Sequence, residues 1–119
     1  MRKKHVAVLV MAVSFVLGAA AMFYKSGQST PLSEDELNHC KLVSLWANGT
    51  MSLRQEGFSM AELMDLSIQE ADPDLRRIRQ NNIQLAYDQL QYHTRAEKER
   101  AVLEFENATY RACLKGLKR

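Results

Sequence analysis

The sequence predicts an all-α protein: a small four-helix domain closed by one disulfide, preceded by an N-terminal signal or membrane-anchor helix. Three observations carry that expectation. Helix-start signals recur at regular intervals after residue 32, no stretch sustains the period-two alternation of a half-buried strand, and the chain holds two cysteines placed far apart. With 119 residues there is room for one small domain. Only 5 Gly and 2 Pro leave little material for a turn-rich β fold.

Residues 1–25 read as a targeting segment and stay outside the fold argument. Arg2, Lys3 and Lys4 precede an uncharged run from Val6 to Phe23, and Gly18-Ala19-Ala20-Ala21 supplies the small residues of a cleavage site. The same run is just long enough to span a bilayer, and Tyr24-Lys25 would then sit at the interface. A cleaved signal and an uncleaved anchor that puts residues 6–24 in the inner membrane both remain open. Under either reading positive charge stays inside and the remainder is exported, which makes the expected location periplasmic. Residues 26–32, small and polar, form a linker, and 33–119 form the helical domain.

Each helix of that domain has its own punctuation. Ser33 with Glu36 makes a capping box, which opens a helix with Leu37, Cys40, Val43 or Leu42, Trp46, Met51 and Leu53 as apolar positions. Gly49 marks a place for a bend or break, and Gly57 ends the helix. Ser59 with Glu62 makes a second box, with Phe58 and Leu63 at the two positions of a hydrophobic staple. Gly57, Phe58, Ser59 and Glu62 are therefore read as a structural turn. The short helix after it points Leu63, Leu66 and Ile68 or Met64 inward and runs to about Ala71. Asp72-Pro73 restarts the chain, with Asp as N-cap and Pro at the first helical position. Leu75, Ile78, Ile83, Ala86, Tyr87 and Leu90 follow as its apolar positions. Thr94 with Glu97 opens the last helix, carrying Val102, Phe105, Thr109, Cys113 and Leu117.

The chemistry is sparse. Cys40 and Cys113 fall on core-facing positions of the first and last helices, and in an oxidising compartment two such thiols are most simply a disulfide. No Cys-x-x-Cys redox pair exists. His39 beside Cys40, with Glu36 one turn earlier, lacks a second ligand pair, so no metal and no other cofactor is expected. No nucleophile-elbow, zinc-protease or P-loop pattern occurs, and Asp65, Glu62, Glu104 and Glu106 read as solvated helix carboxylates, so no catalytic residue is nominated. The 16 basic residues barely exceed the 14 acidic ones, and three of the basic ones lie within residues 1–21. That balance argues against nucleic acid as a partner. Arg76-Arg77-Ile78-Arg79 is the densest basic run in the domain, and Arg76 with Arg79 on one face is the candidate partner-contact surface. Asn48-Gly49-Thr50 and Asn107-Ala108-Thr109 match the glycosylation sequon, but both fall in helical patterns.

One ordered series of residues goes beyond these local signals. Cys40, Arg54-Gln55-Glu56-Gly57-Phe58-Ser59, Ala86-Tyr87, Phe105-Glu106-Asn107, Tyr110 and Cys113 follow the pattern C…RQ-x-G-x-S…AY…F-x-N-x-x-Y-x-x-C. This resembles a group of small exported proteins of proteobacteria and their phages, mostly uncharacterised, over about residues 40–113. The resemblance implies a secreted helical module with paired cysteines, and supplies no activity. With catalytic motifs absent, the expected role is a non-enzymatic exported protein that binds another envelope or phage protein. The alternatives are a periplasmic stress chaperone and a small hydrolase or lysozyme inhibitor.

Overall fold

The computed structural model describes residues 30–117. The targeting segment and the first part of the linker lie outside the described residues. The domain is all-helical: α1 (Glu34–Glu56), α2 (Met60–Ser67), α3 (Pro73–Tyr87) and α4 (Arg95–Gly116). Among the described residues there is no strand, and no helix is long and apolar enough to cross a membrane.

Local signals decide where each helix begins. Ser33 and Ser59 each accept a hydrogen bond from the backbone N–H three residues on, and the Glu36 and Glu62 carboxylates each accept one from the cap N–H. Asp72 accepts from the N–H groups of Asp74 and Leu75, with Pro73 following it. Thr94 accepts from Glu97 N–H. Seven N–H groups at the helix starts are thus satisfied within the segments that own them.

α1 ends at Gly57, the one residue of the described chain with positive φ, at 98°. Its N–H bonds to Arg54 C=O at 3.1 Å, and Phe58 N–H reaches back to Leu53 C=O at 3.1 Å. That pair of bonds is a Schellman motif. A Cβ at Gly57 would meet only Gln91 Nε2, at 3.5 Å, an ordinary contact. Gly57→Val should therefore lose stability through backbone strain, not through crowding. Ser59→Ala should cost about 1 kcal/mol by removing the cap, and Gly57→Val should cost more. Urea denaturation of the two variants checks the order, and equal stability with the parent would refute it.

Side-chain contacts orient the helices. Trp46 meets Arg79 and Arg54 meets Tyr87, so α1 and α3 run the same way. Cys40 is bonded to Cys113, and Lys98 reaches the C=O of Gln55, so α4 runs against α1. α1 lies at the centre: it packs on α4 and on α3, and α2 packs on α3. α3 and α4 barely touch.

The buried apolar set is small: Cys40, Val43, Ala47, Met51, Leu63, Ile83, Ala86 and Phe105. Its centre is Ala47, Met51, Ala86 and Phe105, flanked by Tyr87 and Val102. Ala47 and Ala86 are both fully buried, and two methyl groups let the α1 and α3 backbones come close. Each fully buried large side chain contributes about 1.5–3 kcal/mol, so a core with so few of them leaves the disulfide a large share of the stability.

Four sequence expectations are corrected here. α1 runs without interruption through Gly49. A helical glycine costs about 1 kcal/mol relative to Ala, less than the packing that holds α1 on both sides. α2 stops at Ser67, not near Ala71, and buries Leu63 and Ser67, whereas Leu66 and Ile68 are 51% and 64% exposed. Two turns have only one stripe to bury, and Ser67 fills it because its hydroxyl is satisfied by Met64 C=O at 2.6 Å and by Gln80 Nε2 at 3.1 Å. Leu37 is exposed, as is Leu90, at 71%, beyond the end of α3, whereas of Val43 and Leu42 it is Val43 that is buried. The first-to-last bridge forms, but it does not close a bundle, because the α3–α4 side stays open.

Candidate functional site: a groove between α3 and α4

Where α3 and α4 fail to meet, α1 floors a groove of about 380 Å³. Val43 and Phe105 form its floor, Ile78 and Leu85 one wall, and Ala108 and Ala112 the other. Each wall is a single helical stripe. Ile78, Asn82 and Leu85 recur at i, i+4 and i+7 on α3, and Phe105, Ala108 and Ala112 at i, i+3 and i+7 on α4. No Asp, Glu, Lys or Arg lines it, and its polar atoms come from His39, Asn81, Asn82, Gln89 and Thr109. Asn82 is 3% exposed, and its Nδ2 has no hydrogen-bond partner. A buried amide donor without an acceptor carries a cost of about 1–3 kcal/mol. Cys113 also lines the groove, so the disulfide to Cys40 holds the upper part of the α4 wall on α1. The S–S bond joins Cα atoms 5.5 Å apart and points to an oxidising environment.

Beyond the lower end of the groove, the α3–α4 connection is held by Gln55, which is 2% exposed. Its Nε2 donates to Leu90 C=O at 2.8 Å, and its Oε1 accepts from Tyr92 N–H at 2.9 Å. Its own C=O lies in the last turn of α1 and has no intrahelical donor. Lys98 Nζ and Gln91 Nε2 supply donors to it at 2.7 and 3.3 Å. Arg54 works beside it: its guanidinium lies 4.8 Å from the Tyr87 ring centroid, and Nη2 donates to Gln89 C=O at 3.2 Å. Tyr87 donates its hydroxyl proton to Phe58 C=O. Burial raises the Tyr87 pKa, Arg54 opposes the rise, and Glu62 adds to it. The segment R-Q-x-G-x-S is therefore a clamp that fastens the α3–α4 connection to the foot of α1.

Gly57, Phe58, Ser59 and Glu62 all lie at this foot. Phe58 is 43% exposed, held by its backbone through Leu53 and Tyr87. Arg76 and Arg79 do not form a free basic face. Arg76 Nε donates to Glu70 C=O at 2.8 Å. Arg79 stacks 4.7 Å from the Trp46 ring centroid and lies 3.9 Å from Glu70. Both fasten the α2–α3 connection, a use of arginine that a charge run in sequence does not display. Arg77 alone of the three is exposed, and it pairs with Asp74.

The other nominated polar groups disperse. Asn48 Nδ2 donates to Glu106 at 2.8 Å, so the first sequon tethers α1 to α4. His39 and His93 are exposed. Among the described residues no three His, Cys, Asp or Glu side chains converge. The groove was the feature sequence reasoning missed. Its one legible trace is the pair Ala108 and Ala112, two small residues one turn apart on the stripe that carries Phe105. Set against family models, curated proteins and solved structures, the chain matches none of them.

Proposed function

We propose that this is an exported, non-enzymatic helical protein that binds another envelope or phage protein through the groove between α3 and α4. The observation that carries the reading is an uncharged, largely apolar trough left open in a domain with so few buried side chains. A soluble domain that leaves such a surface exposed gains most by covering it with a partner. Export is supported by Arg2-Lys3-Lys4 ahead of the uncharged run and by the disulfide.

The test places a photo-crosslinking amino acid at Leu85 or Ala108 of the full chain in the cells that make it. A discrete adduct is expected from both positions and none from Arg95, whose side chain is 93% exposed on the outside of α4. A reporter fused after Arg119 should be active only in its extracytoplasmic form. A cytoplasmic reporter signal would sink the export reading, and adducts equally abundant from Arg95 would sink the groove. Stress chaperoning is the second reading, favoured by Leu45, Leu66, Ile68 and Leu103, all more than half exposed. It predicts suppression of client aggregation at low pH that is insensitive to substitutions in the groove.

A further inference from the structure

The groove has a length, a seam and a polarity. From Ile78 to Gln89, just past the end of α3, this wall covers 12 residues, about 16 Å at the helical rise, or three turns of a helix laid alongside. On the opposite wall Ala108 and Ala112 present only methyl groups, so a helix backbone can approach α4 closely. The absence of charge among the lining residues requires an uncharged seam on whatever enters.

Charge appears only where the stripes run on past the groove. Glu104 precedes Ala108 by four residues, and Lys115 follows Ala112 by three, so the α4 stripe is acidic at its lower end and basic at its upper end. Both are exposed, and Glu104 lines the small cavity that continues the groove past Phe105 and Gln89. Asp88, the C-cap of α3, adds a second carboxylate at the lower end. At the upper end Asp74 is paired with Arg77, and Glu34, Asp35 and Glu36 fill the first turn of α1, so the basic character there belongs to the α4 wall alone, through Arg111 and Lys115. Helix dipoles act in the same sense. α1 and α3 end at the lower side and α4 ends at the upper side, so two C-termini and one N-terminus meet the lower end of an occupant.

We propose that the groove takes one amphipathic α-helix of a partner protein, about three turns long, lying parallel to α4 and antiparallel to α1 and α3. This rests on the partner-binding reading and gives the partner its chemistry. The helix has apolar residues at i, i+3 or i+4, and i+7, a basic residue in its first turn and an acidic residue in its last. The first turn meets Asp88 and Glu104, and the last meets Lys115.

The experiment selects a displayed library of helix-biased 14-residue peptides on the full chain in lipid nanodiscs. Enriched peptides should carry the apolar spacing with Lys or Arg early and Asp or Glu late. Ala108→Glu should weaken them at least tenfold while circular dichroism shows an unchanged helix content. The double variant Glu104→Lys with Lys115→Glu should reverse the preference between an enriched peptide and its charge-reversed twin, again by tenfold or more. Because neither Glu104 nor Lys115 is buried, this second variant keeps the test decisive even if Ala108→Glu unfolds. Enriched peptides without helical periodicity, with the opposite charge order, or indifferent to both variants would overturn the inference. If crosslinks from Leu85 in the cell still yield a partner, the partner-binding reading outlives that failure. Crosslinks from Leu85 that map to residues 6–24 of the same chain, or to a second copy, would also overturn it.

Discussion

Replacing Cys40 or Cys113 by Ser is expected to remove up to about 4 kcal/mol of stability, the chain-entropy value for a bridge across this separation of 73 residues. Residual structure in the reduced chain would lower that figure. A typical domain has only about 5–15 kcal/mol in total, so either variant should melt far below the parent. The buried set explains the dependence. Two of its eight members are alanines and one is Cys40 itself, so little apolar area remains to hold α4 on α1 once the bridge is gone. The double variant should be no worse than either single one, since one bond is lost in each case. Thermal denaturation with and without reductant provides the check: reductant should lower the melting point of the parent and leave the double variant unchanged. Ready labelling of both thiols in the exported, unreduced protein would show that the bridge is absent.

Gln55→Ala is expected to cost about 1–3 kcal/mol, because it removes the side-chain partners of the Leu90 C=O and the Tyr92 N–H together, both in part-buried bonds. Gln55→Glu should cost at least as much. It turns the donor to Leu90 C=O into a carboxylate oxygen and places a charge where the residue is 2% exposed. The distinguishing measurement is hydrogen exchange. In Gln55→Ala the Tyr92 amide should lose its protection first, since its acceptor is Gln55 Oε1, while amides in the middle of α1 keep theirs. Loss of protection along all of α1 would mean that Gln55 supports the helix and not the α3–α4 connection.

Helix starts were legible in the sequence because a cap is made by residues that are neighbours in the chain. Ser33 with Glu36, Ser59 with Glu62, Asp72 with Pro73 and Thr94 with Glu97 need no tertiary partner to do their work. The end of α1 was legible for the same reason, since only Gly tolerates the backbone at residue 57 without strain. The cysteine pair was legible from number and placement, because each thiol sits on its helix's inner stripe.

Which stripe of a helix turns inward, and how far the helices close on one another, depended on the partners. Leu66 and Ile68 looked as apolar as Leu63, yet α2 packs chiefly on α3 and buries only the stripe of Leu63 and Ser67. Arg76 and Arg79 read as a partner-contact surface until Trp46 and Glu70 were placed beside them. Gln55, polar and unremarked as a core residue, is buried because the α3–α4 connection brings it one donor and one acceptor from 35 and 37 residues away. The groove belongs to this second kind. Two buried alanines draw α1 and α3 together and the disulfide holds α4 on the far side of α1, so α3 and α4 face each other across a gap that no local pattern encodes. Short-range hydrogen bonding thus determined where the helices lie along the chain, and only the competition among helix faces for a small shared core decided which surface was left for a partner.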